Sequence, residues 1–470
     1  MKKVILILFF CIHLIPSSFA QRNYAQELVH LLLQGECFKA KEFRMQYADK
    51  LPEHDKALDL VYKSHMALFF NKPDSATIYL KDLLICYEDF LGPLASFYYG
   101  KLLRIYADSQ QFEKGLNVCD QMITLYNKYA YRINKDVLER ELDFVENVKT
   151  SLRSRLNNDE PIIKIKRVDS VKPVELIKNE YIRFYGNYNG NSTETLFDTG
   201  VSDYFHISKK IADKIGVRTV HINQDSIQIV NGIPQKGYEG IIDSITIGNI
   251  NLYNIPVLVF HKGFMPYFTE SIDNDIKKII QEAFKDEQVI MGLPTMKLIG
   301  KFEFDWKNGS LTFPENAKFA ETNTISNIYF HDQRAYLGLT INDLNYTGFF
   351  DAGSNNFIDL SYPFYEKYKN SISIDTTIQK PPLNNYSLTN ALVGAPYEIV
   401  KDPIVLLKNK KINCEQAQIR VFDAILPGTI FDGIVGVNFL KELGSKVIID
   451  FDNMNIEGGR SYNKKGGNKK

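Results

Sequence analysis

The sequence is poor in the features that mark several classes of protein. Its 470 residues include one tryptophan, five cysteines and eight histidines, and 56 basic side chains balance 56 acidic ones. No net field therefore favours a nucleic acid or an anionic membrane surface as a partner. No HExxH or GxSxG spacing occurs, and the glycines form no phosphate-binding loop, so no metal or cofactor is predicted. The length indicates two or three domains.

Long apolar runs are also scarce. Two lysines open the chain, an apolar run covers residues 4–15, and Ser18-Phe19-Ala20 has the small-x-small pattern of a cleavage site. The run is shorter than the roughly 20 residues that a membrane-spanning helix needs. Residues 1–20 are therefore predicted to be a signal peptide cleaved after Ala20, and the mature chain to be periplasmic or extracellular without a membrane span.

Four cysteines remain after that cleavage, namely Cys37, Cys86, Cys119 and Cys414. Their wide spacing, without any CxxC pair, argues against a zinc site. Buried thiols and one disulfide both remain open, because the sequence does not give the pairing.

Residues 21–155 are predicted to be helical. Apolar residues recur there at helical spacing between short breaks at 34–36, 71–74 and 107–110. The phrases at 74–80 and 112–118 each open a helix, and their offset of 38 positions, from 74 to 112, is near the period of paired-helix repeats. The domain resembles a degenerate tetratricopeptide-type array of three helical pairs, with a plain helical bundle as the alternative.

The period changes to two after a linker predicted at residues 156–177 with one short strand. Residues 178–318 and 319–460 then repeat one order of elements, and residues 461–470 are predicted to be a basic disordered tail. In each repeat a hairpin ends in an aspartate, a second hairpin follows, and an apolar strand ends in glycine before a short helix. These patterns predict a multidomain α plus all-β fold.

The repeated aspartate motif is Asp198-Thr199-Gly200 in the first half and Asp351-Ala352-Gly353 in the second, 153 positions later. The apolar-glycine segments end at Gly292 and Gly436, 144 positions apart. Offsets that agree this closely indicate an internal duplication.

On these motifs the chain resembles the retropepsin-like aspartic proteases over about residues 178–460. The resemblance implies two homologous β-barrel lobes in a pepsin-like, bilobal arrangement and an aspartic endopeptidase that cleaves polypeptides. Asp198 and Asp351 are then the catalytic pair. It also implies active-site support from the residues around them, namely Thr199, Gly200, Gly292, Ala352, Gly353, Ser354 and Gly436.

The motif must occur twice because amide hydrolysis by water needs both a base and an acid. Two carboxyl groups that share one proton supply both, since like charges about 3 Å apart cannot ionise together. Neither aspartate is sufficient alone.

The two motifs differ at two positions. Ala352 lacks the hydroxyl that Thr199 keeps, which predicts the loss of one buried hydrogen bond, roughly 1 kcal/mol. Ser354 follows its glycine where Val201 follows the other, so we expect the Ser354 hydroxyl to bond the Asp351 carboxylate. On that hypothesis Asp351 is the general base and Asp198 carries the shared proton.

The second hairpin of each half is expected to be a flap that closes over an extended peptide. Candidate flap and substrate-binding residues are Asn231, Gly232, Ile233, Tyr238 and Gly394. The helical domain is predicted to dock a protein partner, to dimerise or to inhibit, and the sequence does not decide between these roles. The alternative to an enzyme is a weakly active or inactive protease-fold scaffold that binds extended peptides.

Overall fold

The computed structural model describes residues 23–52, 55–158, 160–168, 170–178, 180–219, 227–228, 234–261, 278, 288–315, 326–378, 383–386, 391–395, 397–412, 414, 418–422 and 431–458. The chain divides into two compact units, Met1–Ile162 and Ile163–Lys470. The predicted signal peptide and C-terminal tail lie outside the described residues. No helix among the described residues is long and apolar enough to cross a membrane.

The first unit is helical, as predicted. Its helices are α1 (Tyr24–Leu33), α2 (Cys37–Gln46), α3 (Lys56–Phe69), α4 (Pro73–Leu91), α5 (Ala95–Asp108), α6 (Phe112–Lys128) and α7 (Lys135–Asn157). Consecutive helices from α3 to α7 pack against one another. Gly35, Asn71 and Gln110 adopt left-handed φ angles at the predicted breaks, which end one helix and turn the chain into the next.

Both cysteines buried in this unit, Cys37 and Cys119, are free thiols, as are the exposed Cys86 and the half-buried Cys414 of the second unit. Burial raises the pKa of the Cys119 thiol to about 11. These four positions form no disulfide in the structure, and the buried-thiol interpretation holds for Cys37 and Cys119.

The segment predicted as a linker contains two strands where the sequence predicted one. α7 runs to Asn157, after which β1 (Lys164–Arg167) and β2 (Val174–Glu175) follow. β1 and β2 each pair antiparallel with a strand of the second unit.

The first half of the second unit holds an eight-stranded sheet. Besides β1, its strands are β3 (Arg183–Tyr188), β4 (Asn191–Phe197), β5 (Phe205–Ser208), β6 (Arg218–Thr219), β9 (Gly237–Ile247), β10 (Ile250–Phe260) and β11 (Val289–Met291). The order is β1-β10-β5-β11-β4-β3-β9-β6, and β9 also pairs with β10. That pairing closes six strands into a ring, as in a small barrel. A separate short pair joins β7 (Ile227–Gln228) to β8 (Pro234–Gln235).

The second half repeats this pairing scheme. Its strands are β14 (Ile328–His331), β15 (Arg334–Ile341), β16 (Leu344–Asp351), β17 (Ile358–Ser361), β20 (Tyr397–Ile399), β21 (Val405–Leu407), β22 (Lys410–Ile412), β23 (Ile419–Phe422) and β24 (Gly433–Gly436). The sheet runs β20-β23-β17-β24-β16-β15-β21-β22, with β14 on β15. No pairing that closes this sheet occurs among the described strands. A separate hairpin joins β18 (Leu383–Tyr386) to β19 (Ala391–Ala395).

In each half, two of the strands are each followed by a short helix. α8 (Lys209–Ile215) follows β5 and α9 (Leu293–Ile299) follows β11, whereas α10 (Tyr362–Tyr368) follows β17 and α11 (Val437–Glu442) follows β24. Ser208 and Ser361, 153 positions apart, cap α8 and α10 through their hydroxyl oxygens.

A five-stranded sheet joins the two halves. β12 (Lys301–Asp305) and β13 (Ser310–Thr312) come from the first half, and β25 (Lys446–Asp450) and β26 (Asn455–Gly458) from the second. The order is β2-β13-β12-β25-β26, so the antiparallel pair β12–β25 forms the seam. Phenylalanines fully buried around this seam form a core shared by both halves, namely Phe197, Phe302, Phe304, Phe313 and Phe451.

Candidate active site

Each predicted catalytic aspartate ends a buried strand at equivalent places in the two halves. β4 runs into Asp198 and pairs in parallel with β11, while β16 ends in Asp351 and pairs in parallel with β24. After each aspartate the chain turns, and a backbone N–H two residues on donates back to the carboxylate. Gly200 N lies 2.8 Å from Asp198 Oδ1, and Gly353 N lies 3.0 Å from Asp351 Oδ1.

The two loops cross so that each glycine lies against the carboxyl group of the other loop. A Cβ on Gly200 would lie 2.7 Å from Asp351 Oδ1 and 3.0 Å from Asp198 Oδ1. A Cβ on Gly353 would collide with the carboxyl group of Asp198. Both positions therefore need glycine, and the crossing places the two carboxyl groups side by side.

Thr199 connects the loops beneath this pair. Its buried Oγ1 donates to the carbonyl oxygen of Phe350 at 2.7 Å and accepts from Ala352 N at 2.8 Å. Ala352 is equally buried and has no hydroxyl with which to make the reciprocal contact. The connection is therefore one-sided, with the threonine only in the first half.

The glycines after the apolar strands lie under the aspartate loops. Gly292 has no room for a Cβ against the Asp203 carbonyl and Val201, and Gly436 has none against Asn356 and Ser354. The residue after each glycine holds the loop in place. Leu293 N donates to Val201 O at 2.9 Å, and Val437 N donates to Ser354 O at 2.8 Å.

One comparison with known proteins finds a match in the first half of the second unit. Residues 184–280 match the family model described as aspartyl protease. The predicted resemblance to the aspartyl proteases is confirmed. The match includes Asp198 and ends before Asp351.

A solved structure also resembles part of the chain. The crystal structure of a retropepsin-like aspartic protease from Rickettsia conorii shares 16% sequence identity with it, at a TM-score of 0.20. The similarity covers 32% of this chain and 93% of that one. A comparison with curated proteins returned no match.

Within the candidate site the Ser354 hydroxyl does not make the predicted contact. It donates to Asn356 Oδ1 at 2.6 Å and not to the Asp351 carboxylate. The acceptor, the side-chain oxygen of Asn356, lies two residues along the chain, and Asn356 packs against Gly436. The hydrogen bond from Ser354 on which the assignment of Asp351 as general base rested is therefore not present in the structure.

The surroundings of the two carboxyl groups favour the opposite order. Burial raises the pKa of Asp351 well above its usual range, and the charge of the adjacent Asp198 carboxylate raises it further, against the opposing effects of Gly353 N and the Arg334 charge. Burial also raises the pKa of Asp198, but hydrogen bonds from Gly200 N and from the Asp351 carboxyl oppose that rise. These contacts favour a proton on Asp351 and a negative charge on Asp198.

The structure describes two of the five candidate flap residues, Tyr238 and Gly394. Asn231, Gly232 and Ile233 lie outside the described residues. Tyr238, in β9, is half-buried, and its ring centroid lies 5.7 Å from that of His261. Gly394 was expected near a hairpin tip but lies within β19, one residue before Ala395, which pairs with Leu383.

Two polar residues near the aspartates escaped the sequence analysis. His206 lies on β5, and Tyr181 packs against an apolar cluster of Leu196, Val201 and Ile290 beside Asp198. Burial, and then the charges of Glu180 and the two aspartates, raise the pKa of the Tyr181 phenol. The only signal in the sequence was the 153-position offset, which aligns His206 with Asp359.

Among the described residues, no group of histidine, cysteine and carboxylate side chains is arranged to hold a metal ion. The reactive groups that the site presents are two carboxyl groups and the backbone amides around them.

Proposed function

We propose that the chain is an exported aspartic endopeptidase in which Asp198 and Asp351 together activate one water molecule. The observation that carries the proposal is the crossed packing of the two aspartate loops. Each glycine leaves room for the carboxyl group of the other half, so the two half-buried carboxyl groups lie side by side. Export rests on residues 1–20 of the sequence.

The difference between the carboxyl groups gives each a role. Ionised Asp198 removes a proton from water as the water oxygen attacks the carbonyl carbon of the peptide, and Asp351 gives its proton to the carbonyl oxygen. The resulting diol collapses when Asp198 passes its new proton to the amide nitrogen. The carbon–nitrogen bond then breaks, and a hydroxyl proton returns to Asp351, which restores the starting pair.

The other predicted site residues keep supporting roles in this proposal. Thr199, Gly200, Ala352, Gly353, Gly292 and Gly436 hold the loops, and Ser354 fixes the second loop through Asn356. Asn231, Gly232, Ile233, Tyr238 and Gly394 remain candidates for flap and substrate contacts. Residues 21–155 are proposed as a tetratricopeptide-like module that docks a protein partner.

We also propose that the two halves are homologous lobes. Three side chains at the seam recur 145 positions apart and make the same contacts. Asn308 donates to Asp305 through its backbone and side-chain nitrogens at 2.9 and 2.8 Å, and Asn453 does the same to Asp450 at the same distances. The ion pairs also alternate across the seam, at 3.7 Å for Lys301–Asp450 and 3.6 Å for Lys446–Asp305. A twofold duplication accounts for such reciprocity.

The proposal is tested by cleavage of a denatured protein between about pH 4 and 6, with and without a transition-state peptide inhibitor of aspartic proteases. Asp198→Asn and Asp351→Asn should each lower kcat/KM by about 1,000-fold or more. Asp213→Asn, at an exposed aspartate on α8, is the control and should retain activity. Full activity in either dyad variant would overturn the assignment. Inhibitor binding without cleavage by the unmodified chain would favour the scaffold alternative.

A further inference from the structure

Strand register brings Arg334 beside the aspartate of the second half. β15 pairs antiparallel with β16, and Tyr336 of β15 lies opposite Phe349 of β16. Arg334 comes two residues before Tyr336, and Asp351 comes two residues after Phe349, so the same register brings Arg334 and Asp351 opposite each other. Residues two positions apart on a strand share a face. The Arg334 guanidinium accordingly packs over the Phe349 ring, 5.6 Å from its centroid.

The charge of Arg334 has no carboxylate partner among the described residues. The side chain is half-buried, and neither Asp198 nor Asp351 lies within ion-pair distance of it. The other described arginines of the second unit have polar partners, which are Glu194 for Arg183, Asp243 for Arg218, Asp359 for Arg420 and two carbonyl oxygens for Arg167. Partial burial of an unpaired guanidinium costs free energy, which a bound carboxylate would offset.

The equivalent place in the first half holds an uncharged residue. An offset of 153 positions aligns Arg334 with Tyr181, and the register of β3 and β4 brings Tyr181 opposite Asp198 in the same way. Tyr181 packs against the apolar cluster beside Asp198. Arg183 lies over the Tyr181 ring at 5.7 Å, but its charge is paired with Glu194 at 2.8 Å. The aspartates therefore have a neutral aromatic group on one side and, on the other, a cation without a carboxylate partner among the described residues.

We propose that Arg334 is a specificity residue that binds an acidic side chain of the polypeptide substrate beside the scissile bond. The proposal rests on the proposed function and deepens it, because it names the chemical class of substrate residue on one side of the aspartate pair. A guanidinium can donate two parallel hydrogen bonds to a carboxylate, which distinguishes glutamate and aspartate from their amides. On the Tyr181 side the same substrate would place an apolar or aromatic side chain.

The length of the strands limits where the acidic residue can lie. An extended peptide rises about 3.3 Å per residue, and residues opposite each other in an antiparallel pair are about 5 Å apart. With the scissile bond at the aspartates, only side chains within about two positions of that bond come near Arg334. The preference should therefore appear at one or two positions on a single side of the scissile bond.

The test compares matched peptides at about pH 6, where a glutamate side chain is ionised. The peptides are amidated at the C-terminus and carry glutamate or glutamine at one of the two positions on either side of the scissile bond. At one position, the unmodified chain should cleave the glutamate peptide with a kcat/KM at least roughly 10-fold higher, and Arg334→Gln should remove the difference. Arg218→Gln, at an exposed arginine of β6, is the matched control and should keep it.

Reversal of the charge separates recognition from a general loss of activity. Arg334→Glu should prefer lysine at the position where the unmodified chain prefers glutamate, which misfolding would not produce. Cleavage by the unmodified chain without a charge preference, or the same preference in Arg334→Gln, would overturn the inference and leave the dyad proposal intact. An equal loss of kcat/KM for every peptide in Arg334→Gln would assign Arg334 to the aspartates and would also overturn it.

A binding measurement tests the inference without cleavage. In calorimetric titrations of Asp198→Asn, the Kd of the preferred glutamate peptide should be at least roughly 10-fold lower than that of its glutamine partner. The double variant with Arg334→Gln should bind both peptides equally. Equal Kd values in the single variant, or no binding of either peptide, would overturn the inference. Charge-dependent binding without cleavage by the unmodified chain would instead overturn the proposed function alone.

Discussion

The two halves of the second unit share one arrangement of strands but differ in the polar and charged side chains near their aspartates. Equivalent strands carry Asp198 and Asp351, and equivalent glycines support them. Around that frame the first half has Thr199 and His206 where the second has Ala352 and Asp359. The repeated frame positions both aspartates, whereas the side chains that do not repeat give the two carboxyl groups different surroundings.

Among changes that leave both aspartates in place, the largest effect should come from closing the space at the crossing of the loops. Gly353→Ala should lower kcat/KM by at least about 100-fold, because its Cβ would collide with Asp198 and displace a reacting group. Gly200→Ala should cost less, since its Cβ meets a carboxyl oxygen at 2.7 Å that can shift. Gly100→Ala is the control, with nothing within 4 Å of the new methyl group. Full activity in Gly353→Ala would contradict the crossed-loop arrangement.

The next prediction compares two ion pairs that differ in exposure, Arg420–Asp359 of the second half and His206–Asp203 of the first. Arg420→Gln leaves the 3% exposed Asp359 carboxylate without its partner, so the free energy of unfolding should fall by about 3 to 5 kcal/mol. Asp203→Asn should cost less than about 1 kcal/mol, because the Asp203 side chain is 44% exposed. Urea denaturation measures both, and equal losses would contradict the contrast.

A third prediction concerns the pH dependence of stability. The pKa of Asp351 is raised above its unfolded value, so the folded state binds that proton more tightly. This contribution to stability is complete at low pH and is lost as the pH rises through the raised pKa, by at most about 1.4 kcal/mol per pH unit. Asp351→Asn should therefore lose less stability than the unmodified chain between about pH 4 and 7. Parallel curves in urea titrations would show that Asp351 is not the proton carrier.

A smaller effect tests the one-sided contact beneath the aspartates. Thr199→Val leaves Phe350 O and Ala352 N without the hydroxyl, so it should lower the free energy of unfolding by about 2 kcal/mol. Ala352→Ser offers a second hydroxyl and should raise it by no more than about 1 kcal/mol. Thermal unfolding of both variants measures these changes. An unchanged free energy of unfolding in Thr199→Val would contradict the bridging role of the hydroxyl.

The sequence predicted the parts of the fold that depend on local pattern. Apolar spacing gave the helical first unit, and the aspartate and glycine motifs identified the repeated loops because those positions demand particular residues. Contacts between strands that are distant in the sequence could not be predicted from it. His206 next to the Asp198 face, or Arg420 against Asp359, requires the register of three strands, which no local pattern contains. Gly394 was misplaced for a similar reason, since glycine also occurs within strands.

The smallest expected effect concerns Ser354. The Ser354 hydroxyl donates to Asn356 and not to Asp351, so Ser354→Ala removes one side-chain hydrogen bond and should cost about 1 kcal/mol or less. The acid limb of the pH–rate profile of this variant should stay in place. A shift of that limb would mean that the hydroxyl turns to the Asp351 carboxylate in solution and that Ser354 tunes the ionisation of the pair.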